Sequence, residues 1–321
     1  MPQRNKQMHI KKNVSLADKN WFKTGGYAHW YTEPRNEIEM AEALQFAKNA
    51  SIPVYMLGDG ANVLISDQGF DGLVIKPMLK TITVDAEHGH ITAQAGVLIK
   101  DLIDTSLANN LIGLEEFSGI PGSVGGSVYI NIHYFSFLLS DFLTSARVIE
   151  KSSGTIETVD HTWFNFGYDH SKLFEKNYYL IEATFKVKKG DDFTQAFARG
   201  RQTEIIRHRN NRYPTSNTCG SFFRNFHEHE IIHSINGKKI PFVAYYLDKL
   251  GIKGELSMGK ASVSHQHANM IVTKPGATST DVVGLACKMQ DMVYDCFALL
   301  PQPECQLIGF VKNPFEHDNS L

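Results

Sequence analysis

No run of eighteen apolar residues occurs anywhere in this chain of 321 residues, which argues against a membrane-spanning helix. The N-terminal stretch is polar and lacks the apolar core of a secretory signal, so a cytoplasmic protein is expected. Excess positive charge is also missing. The 32 Lys and Arg stand against 34 Asp and Glu, for a formal net charge of −2. The one basic run is the short "QRNKQMHIKKN", and a nucleic-acid ligand is not expected without a basic surface to meet phosphate. Only four cysteines are present, Cys219, Cys287, Cys296 and Cys305, with no CxxC pair. That spacing writes neither a zinc knuckle nor a disulfide framework. Three of the four fall on apolar-patterned text and read as small buried thiols. The histidines His227, His229 and His233 of "FHEHEIIH" have no matching carboxylate or cysteine pattern around them. They read as solvent-facing, and no metal is expected.

What the chain does have is a 42% apolar and 21% charged composition. At this length that is ample for a folded core and for two or more domains. Asn36 can cap a helix whose opening turn holds Glu37 and Glu39 and whose Met40, Leu44 and Ala47 share a face. Pro53 then ends helical backbone and opens the strand "PVYML". Short strands follow in "GLVIKP", "TITVD" and "HITAQAG", and a helical pattern covers "IKDLIDTSLANNLIGLEEF". Strand text returns in "TSARVIEKSSGTIETVD", where Ser152-Ser153-Gly154 reads as a hairpin turn, and in "YYLIEATFKVKKGDD". The segment from Lys186 to Asp192 is read as a domain boundary. Beyond it, "FARGRQTEIIRHRNNRYP" is helical up to the residues before Pro214. A last helix from about Thr280 carries Val282, Leu285, Met289, Met292, Val293 and Cys296 at three-four spacing. The fold class is α+β, with a mostly β first half.

Two glycine-rich stretches are candidates for holding a ligand. Gly58-Asp59-Gly60-Ala61-Asn62 lies between apolar runs, but "VLI" follows it where a dinucleotide-binding GxGxxG would open a helix. It suits a tight turn and a backbone nest for an anion equally well. In "SGIPGSVGGSVYIN", Gly119, Gly122, Gly125 and Gly126 with Pro121 hold irregular backbone close to something, flanked by hydroxyls of Ser118, Ser123 and Ser127.

The ordered set "FKTGGYA", "LGDGANVLI", "GIPGSVGGSVY", "CGSFFRN", "SVSHQHAN" and "PECQLIG" resembles the UDP-N-acetylenolpyruvoylglucosamine reductases, the MurB family, from about Asn20 to Gly309. With no long insertion after the tyrosine motif, the chain is nearer the type II form. The resemblance implies a two-lobed FAD-binding module, residues 1–75 and 76–190, and a C-terminal α+β substrate domain, 191–321. It implies FAD held by Gly58, Asp59, Gly60, Ala61, Asn62, Gly119, Pro121, Gly122, Ser123, Gly125 and Gly126, with NADPH as reductant. The substrate implied is a UDP-linked amino sugar, and a monomer is the default expectation. In such enzymes the flavin gives hydride to the methylene carbon of an enolpyruvyl ether and the neighbouring carbon takes a proton, so charge spreading into the adjacent carboxylate must be held. By resemblance Ser221 is the proton donor and Glu304 works on the enol carboxylate, while Asn225, Tyr168 and His267 bind substrate. Ser264 and Ala268-Asn269 match a strand turn nearby.

The match departs at three places. Asp169, in "FGYDHSKLF", stands where the family's catalytic arginine is expected. Ile132 and His133 replace a small pair after Asn131, and Gln306 replaces a second arginine. Attraction exchanged for repulsion at about 4 Å, with an effective dielectric near 20, is worth roughly 4 kcal/mol or more. That amounts to several orders of magnitude in rate. His133, His170, Lys172 and Arg224 are the nearby groups that remain to take up the cationic role. Three readings stay open: the reductase itself, a divergent FAD oxidoreductase with another substrate, and a non-catalytic flavin-binding relative.

Overall fold

Local signals set most of the elements in this computed structural model, which describes residues 9–232, 234 and 237–316. Asn36 caps helix α1 (Glu37–Asn49), its side chain accepting from the Glu39 N–H at 2.9 Å, and Met40, Ala43, Leu44 and Ala47 are buried along one face. The strand Val54–Met56 follows Pro53 and runs parallel to Phe70–Ile75. These two strands belong to a four-stranded sheet with Tyr27–Thr32 and Lys11–Ser15.

The chain divides into two compact units, each assembled from separated segments. The first takes the chain up to Asn13, His29–Asp59 and Asp71–Arg209. The second takes Val14–Ala28, Gly60–Phe70 and Asn210 onward.

Within the first unit a five-stranded antiparallel sheet has the order Ile156–Asp160, Leu143–Glu150, Tyr178–Lys186, His90–Gln94, Ile82–Asp85. Gly154 at φ +73° turns the expected hairpin, which closes with Ile149 opposite Ile156. The strand Tyr178–Lys186 is buried on both faces. Leu180, Ala183 and Phe185 join the cluster that includes Leu102 and Ile103 of helix α2 (Ile99–Ala108), while Tyr179 and Ile181 pack with Met40 and Leu44 of α1. The helical pattern expected through Phe117 stops early. Asn110 takes φ +56° and reverses the chain into a short strand, Leu111–Ile112, and a 3-10 turn, Leu114–Phe117. After helix α3 (Val124–Ile130), helix α4 (Asp192–Arg212) buries Gln195, Ala198 and Ile205. The amide of Gln195 and the guanidinium of Arg199 donate to the Leu107 carbonyl near the end of α2.

The second unit packs helix α6 (Ser279–Phe297) on a three-stranded sheet, Ser257–Met258, Ala261–Val263 and Ile271–Thr273, with helix α5 (Val243–Lys249) against α6. A separate parallel pair joins Val63–Ile65 to Gln306–Ile308. Val282, Leu285, Met289 and Val293 of α6 are buried, as their spacing predicts, and Met292 is half-buried. Cys296 is exposed, contrary to the expectation, because the last helical turn runs past the core: Tyr294 and Asp295 beside it are exposed too. Cys219 and Cys305 are the buried thiols, and Cys287 is half-buried.

Helix α6 begins on an acidic cap from outside its own sequence. Asp67 accepts from the Ser279 N–H and the Thr280 N–H, each at 2.8 Å, and from the Thr280 hydroxyl at 2.7 Å. Thr278 and Asp281 add a reciprocal capping box. Asp67→Ala leaves two helix N–H groups unsatisfied, with an expected stability loss of about 1–2 kcal/mol. Urea unfolding checks this; an unchanged midpoint would show that the Thr278 and Asp281 box suffices alone.

Candidate active site

The second glycine stretch is not wholly irregular. Helix α3 starts inside it at Val124, with Ser123 accepting from the Gly126 N–H at 3.3 Å. The two glycines in its first turn hide the helix from a sequence reading, and the capping serine was the available signal. The Val124 N–H and Gly125 N–H donate to the carbonyls of Val97 and Ala95 at 2.8 and 2.9 Å, which pins the stretch to the segment that follows the inner strand His90–Gln94.

Gly58 comes against this stretch. A Cβ at Gly58 would stand 2.6 Å from Ser123 Oγ and 3.9 Å from Gly126 Cα. The two glycine-rich stretches therefore meet with no side chain between them. Pro121 and Gly122 are half-buried, Gly119 is exposed at the rim, and the buried Ser118 hydroxyl has no partner among the described residues. Glycine backbone free of side chains and a spare buried hydroxyl are groups that suit a diphosphate. On these observations the residues fit FAD.

The boundary between units divides the first glycine stretch after Asp59. Gly60, at φ +74°, belongs to the second unit, where any Cβ would collide with the Lys19 carbonyl and the Asn20 Cα. Ala61 and Asn62 follow. The Asn62 carbonyl accepts from the Gln306 N–H at 3.0 Å. The side-chain oxygens of Asn62 and Asn20 are buried acceptors without a partner among the described residues. Such acceptors suit a heterocyclic N–H rather than phosphate.

Three short segments of the second unit bring Ser221, Asn269 and Glu304 onto paired backbone. Ser221 bridges Met270, and Phe223 bridges Pro303. The Phe222 N–H donates to the Asn269 carbonyl at 2.8 Å, and the Glu304 N–H donates to the Phe222 carbonyl at 2.8 Å. The buried Asn269 side chain completes the join, accepting from the Phe223 N–H at 3.1 Å and donating to the Phe223 carbonyl at 2.7 Å. Phe222 and Phe223 are fully buried and anchor the segment that carries Ser221 and the half-buried Asn225. Burial, with repulsion from Arg212 and Lys253, pushes the His267 imidazole down to about 4, so the ring is neutral at pH 7. Its Nδ1 accepts from the Asn269 N–H at 3.3 Å. Burial likewise pushes the Cys219 thiol well up, with Cys305 and Glu304 close by adding to the effect.

Of the cations proposed to replace the missing arginine, Arg224 is committed elsewhere. It pairs with both oxygens of Glu230 at 2.8 and 2.6 Å and holds that carboxyl down at about 2. The Lys172 ammonium lies 4.5 Å from the Trp163 ring centroid, and the exposed His170 packs its ring against Phe174. His133 is different. Its Nδ1 is 3.2 Å from Asp169 Oδ1, and its Nε2 is 3.3 Å from the Tyr168 hydroxyl.

Asp169 is therefore not the isolated anion that the sequence suggests. It sits at φ +52°, a left-handed position, at a turn steadied by Asn131, whose side chain donates to the Gly167 carbonyl at 3.1 Å and accepts from the Ser140 N–H at 3.0 Å. The Ser171 hydroxyl donates to the Tyr129 carbonyl at 2.7 Å, and burial pushes the Tyr129 phenol up to about 12. Ile132, which departs beside His133, is a buried core residue. The two departures His133 and Asp169 are one contact. Their joint appearance was the only signal of it in the sequence.

His227 and His229 are exposed and stack at 5.5 Å, and His233 lies outside the described residues. No group of three metal-ligating side chains occurs among the described residues. No helix among them is long and apolar enough to cross a membrane.

The comparisons with known proteins agree with this geometry. Residues 28–160 match the family model described as FAD binding domain. Residues 212–308 match the C-terminal domain of UDP-N-acetylenolpyruvoylglucosamine reductase. Curated reductases of that name from Synechococcus sp. and Lactobacillus delbrueckii subsp. bulgaricus are 32% and 34% identical, over 95% and 94% of this chain and 93% and 96% of theirs. The solved structure of the reductase from Thermus caldophilus is 26% identical with a TM-score of 0.76, covering 94% of this chain and 99% of that one.

Two substitutions test the site. Gly58→Ala drives a methyl group into the hydroxyl that caps α3, so the purified variant is expected to retain less flavin per chain, read from visible absorbance. Equal flavin content would mean that the stretches do not need this approach. Asp169→Arg removes the partner of His133 and places a long side chain at a left-handed position, a strain of about 1 kcal/mol. A lower melting temperature and slower turnover are expected. A faster enzyme would show that Asp169 only obstructs.

Proposed function

The chain belongs to the UDP-N-acetylenolpyruvoylglucosamine reductase family, and we propose that it catalyses the FAD-dependent reduction of that enolpyruvyl nucleotide to UDP-N-acetylmuramate, with NADPH as the electron source. The observation that carries the reading is the junction of three segments around Asn269, which holds Ser221 and Glu304 on adjoining backbone.

Bound FAD supplies the hydride for the methylene carbon. The chain supplies the rest. Ser221 gives its hydroxyl proton to the neighbouring carbon, so one hydride and one proton saturate the double bond. A serine hydroxyl is a weak acid and serves only where its surroundings hold the alkoxide it becomes. Glu304, one backbone step across the pairing, holds the enol form of the substrate carboxylate. Asn225, Tyr168 and His267 bind the nucleotide sugar, and His267 does so as a neutral ring. The two glycine-rich stretches hold FAD, with Ser123 at their meeting point. Residues 1–75 and 76–190 act as the two flavin-binding lobes and 191–321 as the substrate domain. The enzyme works as a cytoplasmic monomer.

A second reading has one observation in its favour. Asp169, in contact with His133, stands where a fixed cation is expected, which is what a relative serving a different acceptor would carry.

A two-step mixing experiment separates the two. The yellow holoenzyme is reduced anaerobically with NADPH and then mixed with the enolpyruvyl nucleotide while flavin absorbance is followed. Return of the oxidised spectrum is expected. Ser221→Ala should leave the NADPH step intact and slow the return by at least about 100-fold. Reduction by NADPH without return in the unmodified enzyme would overturn the first reading in favour of the second.

A further inference from the structure

Helix α4 carries an apolar stripe on the side away from the core. Gln195, Ala198 and Ile205 are its buried residues, and the last two join the core cluster of the first unit. Phe193, Ala196, Phe197 and Gly200 follow one another at helical spacing on the opposite side. The two rings are 80% and 69% exposed, and Ala196 and Gly200 are exposed with them. A contiguous apolar stripe of this kind on a solvated helix marks a contact surface.

The order of sizes says what covers it. Gly200 is, proline apart, the least favourable residue for a helix interior, and no atom among the described residues lies within 4 Å of the place its Cβ would take. Along the stripe the residues therefore run large, small, large, absent. Set against a reversed copy of itself, that order is its own complement: Phe193 comes beside Gly200 of the second copy, Phe197 beside its Ala196, and each pairing occurs twice. Self-complementarity of one patch is what a twofold contact requires. The flank of the stripe agrees. Asp192 and Arg199, both exposed, lie on the same side of it, and in the antiparallel setting each comes opposite the other, where charges fix the direction of paired helices. A parallel setting would bring ring against ring and Asp192 against Asp192, which disfavours it.

We propose that α4 is a twofold self-association surface, on which a second copy of this chain docks antiparallel through Phe193, Ala196, Phe197 and Gly200. Four rings that each cover roughly 150 Å² give about 600 Å². That is about half of the smallest standard interface, so the contact is weak, with a Kd on the order of 100 μM. The single chain carries every group named in the proposed reaction and remains the working unit. Pairing adds a contact and no residue to the site.

Sedimentation equilibrium of the FAD-loaded full-length protein, from about 5 to about 500 μM, tests this. The weight-average mass is expected to climb from that of one chain towards that of two. Phe197→Ser should weaken association by at least about tenfold, with flavin content and melting temperature unchanged because the ring lies outside the core. Gly200→Leu separates shape from stickiness. It favours the helix and adds apolar surface, yet it fills the place that Phe193 of the second copy needs, so it too should weaken association by at least about tenfold. Asp192→Arg should weaken it as well, most at low salt. A single-chain mass throughout the range overturns the proposal. Association that persists unchanged in Phe197→Ser, or that grows in Gly200→Leu, overturns it in favour of another face or of unspecific adhesion.

Discussion

One side-chain amide holds the chemistry of the second unit together. Asn269 is buried, and its side chain satisfies both the N–H and the carbonyl of Phe223 while its main-chain carbonyl receives Phe222. No other side chain of similar volume presents a donor and an acceptor side by side in this way. In a buried setting a half-satisfied backbone is costly, so the segment bearing Ser221 has one resting place. Glu304 is bound to that same segment from its other edge. The positions of Ser221 and Glu304 are therefore set by a common strut.

The electrostatics of the candidate site are more balanced than its sequence suggests. Arg224 is neutralised by Glu230, and Asp169 lies in contact with His133. His267, driven towards neutrality by burial, adds no positive charge at pH 7. The cations that act on His267 are Arg212 and Lys253.

How far the sequence could be read followed how local the cause was. Asn36 with Glu39, and Ser152-Ser153-Gly154 between β text, carry their own instructions within a few residues, and both elements form where expected. The start of α3 was missed because glycines in its first turn suppress helix propensity, although Ser123 caps it. Asn110 ended α2 through a left-handed backbone that apolar spacing does not encode. Cys296 kept the right spacing on a turn that outruns the core. The family motifs located Ser221 and Glu304, and the structure adds the reason they stay together, Asn269. The contact of His133 with Asp169 was signalled only by the two departures occurring together, since nothing short-range links them and each alone looked like a loss.

The parallel pairing of Val63–Ile65 with Gln306–Ile308 has a consequence for how the protein is made. As the chain leaves the ribosome, Leu64 emerges long before the strand that covers it has been synthesised. The first unit can close once Arg209 is out, but Phe22 and Leu64 must wait, exposed, for a core drawn almost entirely from the last third of the chain. Loops of that length make the second unit the late and slow step of folding. A ribosome that stalls or stops early releases a chain with an unpaired apolar strand, and such a chain is a natural client for chaperones or proteases.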